Sequence, residues 1–356
     1  MSLSIAITMS PQHTMNLVQA ALADVIPRNI LCYRIEYPGE IESFNAKVQR
    51  GTEEYCTSLL PTLRIEVVRT KRRLHNLQVA RMARSLARQH PSPSSLVLGL
   101  PLTRLWASSA IAHQADQIVF LDDGSIALSD DLDPLLARGG TSLRPEILDA
   151  AVVSLLAPHG LSKARSIFYT AFSPSTTSIR TLNHRYAELK QALTDLPPPS
   201  SREVRGERLW VDTNFDTVFG EHLHAEILRR VKRSFGIDVW IPHRRTSHLF
   251  AADLAAELGI RVIRPSLPIE LLLQNWLANG SELYCAPNSV ALLADQFVAA
   301  NDKLTLVRVA SWLTSLTATQ SFGMGRLTSS QQLVLDSRAT IEVAVSQMPT
   351  WNILDI

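Results

Sequence analysis

Asp122-Asp123-Gly124 closes an apolar run at residues 117–121, and it is a place where side-chain chemistry can be read directly. Two adjacent carboxylates resist joint ionisation, which lifts one of them toward the range useful for a general base. The glycine after them permits a tight turn or a close approach of substrate. An ordinary Asp-Gly turn is the plain alternative. A second cluster stands at residues 239–247, where apolar Val239-Trp240-Ile241-Pro242 gives way to His243, Arg244 and Arg245. Thr246 and Ser247 then offer N-caps to the periodic segment 249–258. Cations beside a helix N-terminus make a nucleotide-phosphate site, or simply a basic surface loop.

Other clusters carry less. His222, His224 and Glu226 lack the spacing of a zinc-binding helix and read as the start of a solvated helix. Asp131-Leu132-Asp133 has the pattern that bridges a divalent cation to a diphosphate, within a turn-rich acidic stretch where such triplets arise by chance. The first strand leads into Ser10-Pro11-Gln12-His13 instead of a glycine-rich turn, and no GxxxxGK[ST] occurs. Ser321–Arg326 bears glycines without the strand-to-helix setting of a phosphate cradle. Arg81, Arg84 and Arg88 form a stripe opposite the core face of their helix. The stripe reads as a solvated face or, more sharply, as a platform for a polyanion or an anionic membrane surface.

These residues must be positioned by the elements around them, and strands and helices alternate along most of the chain. Strands are expected at 4–9, 30–35, 63–68, 95–100, 117–121 and 166–172. The helices between and after them are expected at 16–25, 44–60, 74–88, 105–113, 145–156 and 179–193. Pro197-Pro198-Pro199-Ser200-Ser201 interrupts the pattern as a linker. The alternation then restarts, with strands at 208–211, 237–241, 261–263, 282–285 and 304–309 and helices at 223–235, 249–258, 269–277 and 290–297. The pattern at 329–347 is mixed. The expected fold class is α/β, with doubly wound, mainly parallel sheets. Two Rossmann-like domains, 1–196 and 208–356, are joined by a linker at 197–207 and face each other across a cleft.

The bulk properties fit. A length of 356 residues suits two cores. A composition 46% hydrophobic and 19% charged is that of a folded globular protein. A formal charge of +2 argues against a dedicated nucleic-acid binder. Cys32, Cys56 and Cys285 are scattered and odd in number, fitting a reducing compartment. With no apolar run approaching a membrane span, the expected location is the cytoplasm, with a peripheral contact at the inner membrane through the arginine stripe.

Taken together, these motifs resemble the bacterial sialyltransferases of GT-B architecture, in particular the lipooligosaccharide sialyltransferase and capsular polysialyltransferase families. Those families share an acidic-acidic-Gly motif, matched by Asp122-Asp123-Gly124. Their His-Pro motif after a strand is matched by Ile241-Pro242-His243, with Arg244 where the family has proline. Asn288-Ser289 resembles their serine motif, with Asn288 replacing a serine. Ser10-Pro11-Gln12-His13 with Asn16 is similar to the first-strand loop, and Pro268-Ile269-Glu270 to a Pro-x-Glu step. The matches keep the family order across residues 4–297.

The resemblance implies an inverting, metal-independent glycosyltransferase carrying sialic acid from CMP-sialic acid to a glycan or glycolipid hydroxyl. It makes Asp123 the base and His243 the group that stabilises the leaving phosphate. Arg244, Arg245, Thr246, Glu270, Asn288 and Ser289 then bind the donor nucleotide, while Ser10, Gln12, His13, Asp122 and Gly124 line the acceptor side. No cofactor is implied beyond the CMP-sugar as co-substrate. Open alternatives are transfer of another CMP-activated acidic sugar such as Kdo, a nucleotide-sugar hydrolase or epimerase, and a non-catalytic paralogue that binds glycan or nucleotide.

Overall fold

The computed structural model describes residues 2–36, 44–69, 75–99, 110–122, 166–171, 179–198, 204–298, 304–318 and 327–356. Asp123, Gly124, the Asp131–Asp133 triplet, the Ser321–Arg326 segment and the helix expected at 145–156 lie outside the described residues. The chain divides into two compact units, Met1–Leu196 and Pro197–Ile356.

Unit 1 is built on a parallel sheet of β1 (Ser4–Thr8), β2 (Ile30–Glu36), β3 (Leu63–Arg69), β4 (Ser95–Gly99), β5 (Gln117–Leu121), β6 (Ser166–Thr170) and β7 (Arg180–Asn183). Their order is β3-β2-β1-β4-β5-β6-β7. Ile5, Ala6 and Ile7 of β1 and Leu96, Val97 and Leu98 of β4 are fully buried, as strands covered on both faces require. The helices are α1 (Pro11–Leu22), α2 (Phe44–Leu59), α3 (His75–Gln89), α4 (Ala110–Gln114) and α5 (Ala187–Asp195). From β1 the strand order runs one way to β2 and the other way to β4, so the topological switch point lies between β1 and β4.

Two elements depart from the sequence reading. Helix α1 starts at Pro11, not near residue 16. Ser10 caps it by accepting from the His13 amide, and Pro11 fills the first turn, where its missing N–H costs nothing. The supposed polar loop is therefore largely helix, and His13 is buried. The stretch expected as one helix at 179–193 opens with β7, which pairs with β6 from Ile167↔Arg180 to Thr170↔Asn183. Edge pairing overrides the helical periodicity there. Tyr186, held in the left-handed region at φ 50, separates the strand from α5.

Unit 2 repeats the plan with β8 (Arg208–Val211), β9 (Val239–Ile241), β10 (Arg261–Val262), β11 (Glu282–Cys285), β12 (Leu304–Val307) and β13 (Trp351–Leu354). Their order is β10-β9-β8-β11-β12-β13, all parallel, with the switch point between β8 and β11. Helices α6 (Phe215–Phe219), α7 (Glu221–Phe235), α8 (His248–Leu258), α9 (Ile269–Ala278), α10 (Ser289–Phe297), α11 (Val309–Ala318) and α12 (Ser329–Ser346) cover it. Trp210, Trp240, Ile227, Leu228 and Leu313 belong to its core. The mixed pattern at 329–347 is a single helix, fixed at its start by a capping box between Thr328 and Gln331. Strand β13 was not legible: a four-residue edge strand carries too little pattern to separate from a turn.

Candidate functional site

Polar side chains gather at the carboxyl ends of the strands in each unit. In unit 1, Asn16 on α1 donates its Nδ2 to Asp122 Oδ1 at 2.8 Å and to the Asp122 carbonyl at 3.2 Å. The amide of Ala171, just after β6, donates to Asp122 Oδ2 at 3.0 Å. The Asp122 carboxylate is fully buried and both its oxygens are engaged. It straps the ends of β5 and β6 to α1. The Tyr186 hydroxyl donates to Asn16 Oδ1, and Gln12 Nε2 reaches that hydroxyl at 2.5 Å. Of the two adjacent aspartates, the first is thus committed to the scaffold.

His13 packs across the β1/β4 switch point. Its Nδ1 accepts from the Met9 amide at 3.2 Å, and its ring lies against Gly99 at the end of β4. A Cβ at residue 99 would stand 2.4 Å from His13 Nδ1, so only glycine fits. Sequence reasoning missed His184, which stacks on Tyr169 with ring centroids 4.3 Å apart and meets Tyr186 edge-on at 4.5 Å. Burial pushes its pKa down to about 3, so the ring is neutral at pH 7. The signal for it was lost when the stretch holding β7 and the turn after it was read as helix.

In unit 2, the loops after β8 and β11 and Trp240 of β9 converge on Asp212. The buried Asp212 carboxylate accepts from Thr213 N at 2.7 Å and from Trp240 Nε1 at 2.9 Å, and it lies 2.6 Å from His224 Nε2. On the other side of the imidazole, Nδ1 is 3.6 Å from Asp216 Oδ1. Burial alone would lower the His224 pKa, but the Asp212 charge and hydrogen bond, with those of Asp216, outweigh it and raise the value to about 9. His224 is therefore a buried cation between two carboxylates. The expectation of a solvated helix start is corrected at this residue: His224 is on the core face of α7, while His222 is exposed. Asp212, an acid ending an apolar strand just as Asp122 does, was the available signal.

This network sets the loop that carries the cations. The Thr246 hydroxyl donates to Asp216 Oδ1 at 3.2 Å, and the Thr246 and Ser247 carbonyls accept from Arg264 at 2.9 and 3.3 Å. Ser247, not Thr246, caps α8. Within the loop, the Arg245 amide donates to His243 Nδ1 at 3.2 Å. That bond fixes the neutral tautomer, leaving the proton on Nε2. Burial, then the charges of Arg244, Arg245 and Arg338, push the His243 pKa down to about 4, against a smaller opposite pull from Asp212. Arg244 and Arg245 are exposed.

After β11, Asn288 caps α10, accepting from the Ala291 amide at 3.0 Å and donating to the Asp212 carbonyl at 3.1 Å. Its side chain pins the α10 N-terminus to the end of β8, and half-buried Ser289 follows as the first helical residue. Glu270 is buried in the first turn of α9, where burial raises its pKa. The structure thus brings His243, Arg244, Arg245, Thr246, Asn288 and Ser289 to one edge of a single sheet. Helix N-terminal donors and positive charge favour an anion at such an edge. Arg81, Arg84 and Arg88 are exposed on α3, and among the described residues no helix is long and apolar enough to cross a membrane.

No family model matches the chain, and no curated protein is similar to it in sequence. Solved structures are similar in fold. Staphylococcus aureus MnaA, determined with UDP, aligns at TM-score 0.50 and 11% identity, covering 87% of this chain and 80% of that one. A UDP-GlcNAc 2-epimerase from Neisseria meningitidis bound to UDP-GlcNAc aligns at TM-score 0.48 and 9% identity, covering 98% and 95%. The heptosyltransferase WaaC of Escherichia coli aligns at TM-score 0.39 and 14% identity, covering 86% and 88%. At such identities the likeness concerns the fold alone. The chain has the GT-B fold of two Rossmann-like α/β units.

Proposed function

We propose that the chain is an inverting glycosyltransferase that takes sialic acid from CMP-sialic acid and passes it to a glycan hydroxyl. The observation that carries this reading is His243, held by the Arg245 amide so that Nε2–H is free to donate, on the same sheet edge as the α10 N-terminus. The nucleotide-sugar part of the reading is supported by the fold likeness to MnaA, which was solved with UDP. The choice of CMP and sialic acid rests on the motif resemblance.

In the proposed reaction Asp123 removes the proton of the acceptor hydroxyl. The acceptor oxygen forms a bond to the anomeric carbon from the face opposite the nucleotide. The bond from that carbon to the phosphate oxygen breaks, and CMP leaves with the electron pair. His243 Nε2–H, Ser289 and the first amides of α10 stabilise the charge that collects on the phosphate. Donors of this kind are worth about 3–4 kcal/mol each in a transition state. Neutral His243 gives the departing CMP a hydrogen bond through Nε2–H and keeps its proton, because Nδ1 already accepts from the Arg245 amide. Only one phosphate leaves, so no metal is required to bridge a diphosphate. Exposed Arg81, Arg84 and Arg88 would hold the enzyme at an anionic membrane surface, which flotation with anionic liposomes would test.

The experiment is CMP release from CMP-sialic acid, with and without mixed glycan acceptors, in the presence of chelator. Acceptor-stimulated release that collapses in Asp123→Ala and His243→Ala supports the proposal. Release without acceptor would move the assignment to a hydrolase. No turnover of CMP-sialic acid, with UDP protecting the fold against heat and CMP failing to, would move the donor to a uridine nucleotide.

A further inference from the structure

We infer that Arg338, on α12, is a direct ligand of the donor's anionic group and completes the site from an element far along the chain. The inference rests on the nucleotide-sugar reading above. Helix α12 otherwise serves as a covering helix, with Leu335 and Ile341 in the core. Arg338 is turned toward the loop after β8, and its Nη2 donates to Asn214 Oδ1 at 3.3 Å. Asn214 Oδ1 is already shared with the Thr213 hydroxyl at 3.3 Å, so the neutral amide gives the arginine little. Arg338 Nε is buried with no hydrogen-bond partner, and no carboxylate among the described residues pairs with this guanidinium.

A half-buried guanidinium whose Nε is shut off from water without a partner is unfavourable, and proteins retain one where a ligand supplies the counter-charge. Burial pushes the Arg338 pKa below its ordinary value, yet arginine stays charged under all working conditions. Its charge also reaches His243, where it helps hold the imidazole neutral. Asn214 and His243 flank it on the loops after β8 and β9, adjacent strands of the sheet. Arg338 and the α10 N-terminus therefore give one sheet edge a positive potential, with neutral His243 adding an Nε2–H donor, that a phosphate ester or a carboxylate would neutralise. A CMP-activated sugar acid carries both groups, and a planar fork suits either one bidentately.

The test is calorimetric titration of wild type, Arg338→Gln and Arg338→Lys with CMP, cytidine, CMP-sialic acid and inorganic phosphate. Circular dichroism and a melting curve for each variant establish that it is folded. Loss of about tenfold or more in affinity for CMP, with no change for cytidine, would place the phosphate on Arg338. A comparable loss for CMP-sialic acid with CMP unaffected would place the sugar carboxylate there instead. Arg338→Lys would recover only part of either loss, because a point charge replaces the fork. Unchanged affinities in folded Arg338→Gln, with wild type binding CMP, would overturn the inference and leave the proposed function standing. If wild type binds neither cytidine nucleotide, the proposed donor falls, and inorganic phosphate decides the site. Phosphate binding that disappears in Arg338→Gln would keep the anion ligand; phosphate binding absent or unaltered would remove it.

Discussion

His224 Nε2 lies 2.6 Å from Asp212 Oδ2 in the interior of unit 2, and Asp216 Oδ1 faces the same imidazole from 3.6 Å on the other side. One cation between two carboxylates joins α7 to the ends of β8 and α6, and through the Thr246 hydroxyl to the loop after β9. Replacing His224 with glutamine would leave buried carboxylate charge without its counter-ion. Breaking such a pair from one side costs about 3–5 kcal/mol. Urea unfolding at pH 7 would measure it, and a loss under ~1 kcal/mol would mean that the ion pair is not formed.

The same residue gives the protein an alkaline limit. A histidine pKa raised from 6.5 to about 9 means that the folded state holds the proton more tightly than the unfolded chain. Its stabilisation is complete below pH 6.5 and fades as pH rises through 9, a change of about 3 kcal/mol. His184 and His243, with pKa values lowered to about 3 and about 4, act with the opposite sign. Their neutral forms cost nothing above pH 6.5, and stability falls as pH drops from there toward those values. Melting temperature against pH should therefore decline on both sides of neutrality. The alkaline limb should flatten in His224→Gln and the acid limb in His184→Phe, and unchanged limbs would contradict these assignments.

Gly99→Ala puts a methyl carbon onto the buried His13 ring. Overpacking of this kind costs about 1–3 kcal/mol. The double variant Gly99→Ala/His13→Ala removes the clash, so it should be more stable than the sum of the two single losses implies. Thermal melts of all four proteins supply the cycle, and strict additivity would rule out the close approach.

Asp122→Ala removes the carboxylate that accepts from Asn16 and from the Ala171 amide, and leaves Asn16 Nδ2 only its bond to the residue 122 carbonyl. Losing both carboxylate bonds costs about 1–3 kcal/mol in total. The expected result is a clear drop in urea midpoint, whereas Asp123→Ala should abolish CMP release with the midpoint nearly unchanged. Equal midpoints for Asp122→Ala and wild type would reverse the division of labour between the two aspartates.

Much of the scaffold was legible in the sequence. Continuous apolar runs such as 95–100 and 117–121 give buried parallel strands, because helices cover both faces and no alternation is needed. Turn and cap residues punctuate them, so most helices fall within a few residues of their expected places. The errors arose where a local pattern served two outcomes. Periodicity at 179–193 suited a helix, yet its first residues complete a sheet edge, and Ser10-Pro11 looked like a loop while being a cap and first turn.

The polar residues at the strand ends were legible in type and not in arrangement. Sequence by itself determined the α/β class and which acidic, basic and capping residues stand at strand ends and helix starts. It also placed the cations after a strand, because strand ends and helix starts are written in local composition. Only the tertiary structure decided which acid is spent on the scaffold: Asp122 is, since Asn16 lies 106 residues away in sequence and 2.8 Å away in space. Only the tertiary structure made His224 a buried cation and brought Arg338 to the edge that holds His243. Local spacing cannot carry such information, because charge pairing and burial are set by side chains that meet only after the sheet has closed.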